Sequence, residues 1–201
     1  QQFENAMDMD NPMSTCITAG PPYNTEFRYN QQRATLAALD KIMEVDKEYG
    51  DIFGRTYGGL VEAYRCEDAE QILITLGSVA GTTRVVVDKL REEGKKVGLL
   101  KIRCMRPFPG KAIAEVVKNA KSLAVLEKDI SFGYEGAVFS DVNSALKQNE
   151  VNVPAYNYVG GLGGRSISKE DIEGIFTELI EGKADASQAK FINLKEDICH
   201  A

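Results

Sequence analysis

Four stretches of the chain hold residue types and spacings that could do chemistry. Gly77-Ser78-Val79-Ala80-Gly81-Thr82-Thr83 places small residues where a strand turns into a helix, and open backbone N–H groups at such a turn can hold a phosphate or a carboxylate. It is neither GxGxxG nor a GxxxxGK loop, and small residues there equally let helix and strand pack closely. Arg106-Pro107-Phe108-Pro109 fixes its backbone with two prolines, so Arg106 and Phe108 point in defined directions. A held Arg can clamp an oxyanion or pin a neighbouring domain. Glu127-Lys128-Asp129 follows an apolar strand, where acid–base residues often sit, but no second acid is placed by a recognisable spacing and such charges commonly cap or solvate a loop. Gly160-Gly161-Leu162-Gly163-Gly164-Arg165 gives a backbone free to bend, suited to a phosphate nest or to a tight turn at a subunit contact.

Other chemistry finds little material. The single histidine, His200, is the penultimate residue, which leaves almost nothing for a Ser-His-Asp or His-zinc site. Cys16, Cys66, Cys104 and Cys199 stand far apart without a CxxC pair, as expected of scattered reduced thiols rather than ligands to an iron–sulfur cluster. No metal site is expected.

The elements that must position these turns follow from periodicity. Gln71–Leu76, Val97–Ile102, Ser122–Leu126 and Ala155–Val159 read as strands, the first and third of them buried. Between them run amphipathic helices, from about Ala80 to Glu93, around Ile113, Val116 and Val117, and through Val138, Val142 and Leu146. Ser168, with Glu170 and Asp171 behind it, caps a last helix. Arg28 to Tyr49 forms an earlier helix, stopped at Gly50, and a short strand or loop follows near Leu60–Tyr64. Alternation of this kind predicts a three-layer α/β fold: an open, mostly parallel sheet with helices on both faces. Its strand-to-helix turns, the chemistry-bearing stretches among them, then share one edge where ligands and partners dock. Residues 1–27 read as an extended arm or linker, residues 28–182 as the domain, and residues 183–201 as a loose tail.

The chain has 201 residues and a net charge of −6, long enough for one good-sized domain. Residues 71–182 are nearly neutral, with 15 bases and 14 acids, whereas residues 1–27 carry four acids and no base. No basic stripe is present, so nucleic acid is not an expected partner. Neither a membrane-length apolar run nor a signal peptide is visible, and a cytoplasmic protein is expected. The chain begins at Gln1 rather than Met, as a processed chain or a piece of a longer one would.

Taken in order, several of these segments carry a resemblance. Thr25-Glu26-Phe27-Arg28-Tyr29 entering a helix, Leu76–Thr82, Leu100–Pro109, Val125–Lys128 with Gly133–Gly136, and Tyr158–Arg165 match in sequence and spacing. The chain resembles the C-terminal half of the alpha subunit of pyruvate:ferredoxin oxidoreductases, within the 2-oxoacid:ferredoxin oxidoreductases. The resemblance implies a transketolase C-terminal-like domain whose sheet has one antiparallel strand, supplied by Leu60–Tyr64 or a neighbour. It implies an enzyme complex converting pyruvate, coenzyme A and oxidised ferredoxin to acetyl-CoA, carbon dioxide and reduced ferredoxin. Thiamine diphosphate, magnesium and iron–sulfur clusters would be held by other domains or subunits. This chain would then be an assembly domain without catalytic residues, inactive alone. Arg106, Phe108, Glu127 and Arg165 become candidates for domain or subunit contacts, and Ser78 a weaker ligand candidate. Two alternatives stand beside this reading: a free-standing module binding a phosphate-bearing ligand at Gly77–Thr83, and the C-terminal domain of another thiamine-dependent 2-oxoacid enzyme.

Overall fold

The computed structural model describes residues 9–10, 18 and 20–199; the expectations resting on Cys16 and His200 lie outside them. Helix α1 runs from Pro21 to Phe53, starting seven residues before Arg28. Pro21 and Pro22 suit a first helical turn, where their missing N–H groups would lack partners anyway. The Gly20 carbonyl accepts from Tyr23 N and Asn24 N, both at 3.1 Å. Residues 21–27 are therefore helical rather than part of an extended arm. Gly50 does not end the helix either. A Cβ there would meet Thr56 Cγ2 at 2.4 Å, so the glycine makes room for the returning chain, and Gly54 at φ +68° is the stop. None of the 33 residues of α1 is buried. The chain divides into two compact units, residues 1–37 and 38–201.

The second unit holds a six-stranded sheet: β1 (Val61–Tyr64), β2 (Gln71–Leu76), β3 (Val97–Ile102), β4 (Ser122–Glu127), β5 (Ala155–Val159) and β6 (Lys190–Phe191), in the spatial order β1-β3-β2-β4-β5-β6. The expected α/β class is what forms. Strand β1 supplies the antiparallel member, pairing Val61 with Ile102 and Tyr64 with Leu99, while the other pairings are parallel. Helices α2 (Val79–Glu92) and α5 (Lys169–Ile180) cover one face, and α3 (Gly110–Val117) and α4 (Ala137–Gln148) the other.

Burial on both faces explains the unbroken apolar runs in the central strands. Leu73, Leu99 and Leu126 pack with Val87, Ile172 and Phe176 on the first face. Ile72, Ile74, Leu100 and Val125 pack with Ile113, Val138 and Val142 on the second. Each fully buried Leu or Ile contributes about 1.5–3 kcal/mol.

Residues 183–201, read as a loose tail, in fact contain β6, which pairs Lys190 with Tyr158 and Phe191 with Val159. Two features seat it. A Cβ on Gly160 would lie 2.5 Å from Ile192 Cγ1, so only glycine lets Ile192 settle there. Asn193, at φ +59°, donates to Ser166 O at 3.2 Å and to Asp171 Oδ2 at 2.7 Å.

Candidate functional site

The order of the strands creates a crevice. The chain leaves β2 toward β3 on one side and later returns to β4 on the other, so the helices after β2 and β4 diverge. Ligands and partners of open α/β sheets sit at such a switch point. Backbone pairing between β2 and β4 ends at Ile74–Val125, while β2 continues along β3 to Leu76 and β4 along β5 to Glu127. The splay is bridged by Thr75, whose hydroxyl donates to Leu126 O at 2.7 Å. Above it opens a crevice of about 300 Å³, walled by Leu76, Gly77, Ser78, Leu126, Glu127, Lys128, Asp129 and Ile167.

Ser78 precedes α2 as its N-cap, yet its backbone is already helical (φ −71°, ψ −28°) and its hydroxyl makes no capping bond. Gly77 makes the turn at φ +72°. A Cβ on Gly81 would meet nothing within 4 Å, so close helix–strand packing does not account for that glycine.

Glu127 was expected at a boundary between domains; it faces inward instead, 3% exposed. Its Oε2 accepts from Val138 N at 2.8 Å, and its Oε1 accepts from Phe139 N and Asn157 Nδ2, both at 3.0 Å. Asn157 Oδ1 in turn accepts from Gly136 N at 2.8 Å. A carboxylate from the end of β4 thus caps α4, where the helix dipole favours negative charge. Burial pushes the carboxyl above its ordinary value of 4.5, while the two backbone donors and Asn157 pull it back. A Cβ on Gly136 would lie 2.0 Å from Glu127 Oε1, which explains the glycine. With its oxygens committed to α4 and Asn157, Glu127 is a structural group, the role commonest for a charge after a strand.

The remaining expected residues do not converge on this crevice. Arg106, on the β3–α3 turn, pairs with Asp141 of α4 at 2.8 Å and donates to Met105 O at 2.7 Å. Phe108 packs against the α3–α4 core, with the Arg106 guanidinium 5.8 Å from its ring centroid. Arg165 donates to Asn193 O at 2.6 Å, so it pins the β6 segment to the glycine-rich turn. That turn places Gly161, Gly163 and Gly164 at positive φ. Sequence reasoning missed Asn157, whose signal was a lone Asn inside an otherwise apolar-aromatic strand. It also missed Asp46, which accepts from Gly59 N at 3.0 Å and pairs with Arg103 at 3.4 Å. These contacts border an apolar groove of about 590 Å³ between Ile42, Val45 and Tyr49 and the ring of Tyr57.

Among the described residues no three His, Cys, Asp or Glu side chains come together to hold a metal. Cys66, Cys104 and Cys199 are separate free thiols, and burial pushes Cys66 up to about 11. These residues do not fit an iron–sulfur cluster or a magnesium ion. Among the described helices none is long and apolar enough to cross a membrane.

Fold and crevice define a class: an open α/β domain with a largely apolar switch-point crevice, whose buried carboxylate is spent on holding a helix. Comparison with known proteins gives the family. Residues 69–172 match the pyruvate:ferredoxin oxidoreductase core domain II model, and the chain belongs to that family. It is 39% identical over 200 residues to pyruvate synthase subunit PorA of Methanosarcina barkeri, covering 98% of this chain and 50% of that protein. It is 45% identical over 169 residues to pyruvate synthase subunit PorA of Methanothermobacter thermautotrophicus, covering 84% and 43%. It is 38% identical over 172 residues to ketoisovalerate oxidoreductase subunit VorA of Pyrococcus horikoshii, covering 86% and 44%. The chain therefore spans about half the length of the curated relatives it matches.

Proposed function

We propose that this chain is a non-catalytic assembly domain of a cytoplasmic pyruvate:ferredoxin oxidoreductase. In the complete enzyme, pyruvate, coenzyme A and oxidised ferredoxin become acetyl-CoA, carbon dioxide and reduced ferredoxin. Thiamine diphosphate, magnesium and iron–sulfur clusters are held there by other domains and subunits, which are this chain's partners. One observation carries the reading: α1 extends for 33 residues without burying one of them, and Phe27, Leu36, Met43, Val45, Ile52 and Phe53 stay exposed along it. A helix this poorly packed gains its stability from a surface supplied by something else. The exposed Phe132 and Tyr134, on the loop between β4 and α4, offer a second apolar contact. Arg106 and Arg165, both exposed, are the charged contact candidates at the strand-to-helix edge. Pyruvate is preferred over a branched 2-oxoacid because relatives named for pyruvate synthase reach higher identity than the ketoisovalerate relative.

The test is pyruvate- and coenzyme-A-dependent reduction of a viologen dye with thiamine diphosphate and Mg²⁺. The chain alone should be silent. Mixed with the remaining parts of the complex it should co-elute on size exclusion and restore turnover. Turnover by the chain alone would sink the assembly reading, and 2-ketoisovalerate turning over faster than pyruvate would sink the substrate preference.

A further inference from the structure

The segment that carries β6 lies against the part of the chain that walls the switch-point crevice. Between Lys190 and Cys199 only Ile192 is even half-buried. Strand β6 offers two residue pairs, extended by one bond from Ile192 N to Val159 O at 2.9 Å. So little burial places the segment among the elements that open most readily. Its polar hold converges on one residue. The Asn193 carbonyl accepts from Arg165 at 2.6 Å, and the Asn193 side-chain amide donates to Ser166 O at 3.2 Å and to Asp171 Oδ2 at 2.7 Å. It does so from φ +59°, a conformation that Asn adopts more readily than most residues bearing a side chain.

What Asn193 grips is the stretch leaving the glycine-rich turn. Gly161, Gly163 and Gly164 all lie at positive φ, and the turn is closed by long bonds, Gly164 N to Gly161 O and Arg165 N to Leu162 O, both at 3.2 Å. A backbone with three such glycines has many other conformations open to it, so its position is set by what lies against it. Two residues beyond Arg165, Ile167 walls the crevice. Ile167 and Ile192 border the same space over Gly160, where a Cβ would lie 3.5 Å from Ile167 Cδ1 and 2.5 Å from Ile192 Cγ1. Unseating Asn193 therefore frees the turn and removes the neighbour of Ile167 in one step.

We propose that residues 190–194 are a latch with two positions, seated and released, and that the Ile167 wall of the crevice keeps its place only while Asn193 is seated. Whatever packs against Ile167 then favours the seated latch, and whatever draws the latch away loosens the wall. The proposal rests on contacts within the chain and is independent of the assembly reading. The test labels the isoleucine δ1 methyl groups of the full chain with ¹³C and compares the parent with Asn193→Asp. Asp tolerates the same backbone conformation but cannot donate, and it sets a carboxylate against Asp171. The Ile192 and Ile167 methyl resonances should move together, and the Gly164 and Arg165 amides should exchange about tenfold faster. Ile72 and Ile113, fully buried on the other face of the sheet, should stay where they are. Should Asn193→Asp fail to fold, Arg165→Met removes only the exposed bond to Asn193 O and should give the same pattern at smaller amplitude. Movement of Ile192 alone, with Ile167 and both amides as in the parent, would overturn the proposal. So would no change at any of these groups in either variant.

Discussion

The two ends of the central strand pair treat buried polarity in opposite ways. Where β4 ends, Glu127 is buried with three donors on its carboxylate and a glycine kept small to admit it. Where β4 begins, beside Gln71 of β2 in the register, the Ser122 hydroxyl is buried without a hydrogen-bond partner. A buried group whose bonds are all made inside the chain holds the fold together. One whose bonds are unmade contributes no such hold.

Substitutions can break that contrast. Glu127→Ala strands Val138 N, Phe139 N and Asn157 Nδ2 in the interior and should cost about 3 kcal/mol in urea unfolding, since each orphaned donor costs about 1–3 kcal/mol. A loss below about 1 kcal/mol would remove the carboxylate from the structural framework. Gly136→Ala drives a methyl into the same carboxylate and should cost about 1–3 kcal/mol with the fold retained, read as a lower melting temperature. Ser122→Ala and Gln71→Met remove groups that bond nothing in the chain, so both should unfold within about 0.5 kcal/mol of the parent or later. A cost equal to that of Glu127→Ala would collapse the distinction between the two ends.

Acidity sharpens it further. Burial raises the Glu127 carboxyl above its ordinary 4.5, so the folded state holds that proton more tightly than the unfolded chain does. Stability from this group is therefore fully present below pH 4.5 and declines as pH rises through the folded value. Hydrogen bonding to Lys121 lowers the Glu70 carboxyl, so its contribution is present above pH 4.5 and is lost as pH falls through the folded value. Unfolding measured between acid and neutral pH for Glu127→Gln and Glu70→Gln should thus differ from the parent with slopes of opposite sign. Equal signs would contradict the environments described.

The smallest effect lies at two serines in equivalent positions. Ser168 accepts from Asp171 N at 3.1 Å within a capping box, whereas Ser78 makes no capping bond. Ser168→Ala should cost about 1 kcal/mol and Ser78→Ala a few tenths at most, compared by thermal unfolding.

Much of the fold was legible because the central strands are buried on both faces and therefore read as unbroken apolar runs. Gln71–Leu76 and Val97–Ile102 were bounded correctly, and the Ser168 cap was visible from Asp171 three residues on. The start of α1, the continuation of that helix through Gly50, and β6 were not legible. Each depends on a partner distant in sequence or on local space: Gly50 on Thr56, and Ile192 on Gly160. The crevice was half visible. Its turns could be located, but that β2 and β4 part company there is a property of strand order, which no local pattern encodes. The unpaired Ser122 hydroxyl was hidden for a plainer reason, since a polar residue at the mouth of a strand looks the same whether or not it finds a partner.

The short outer strands have a bearing on association. β1 has four residues and β6 only two, so the sheet ends on both sides in brief margins rather than long open ladders. Neither margin is a good template for another chain's backbone. Any chain that docks on this domain would then recognise it by shape and side chain across its helices and loops. Many copies can be present at once without their sheets fusing into a shared ribbon.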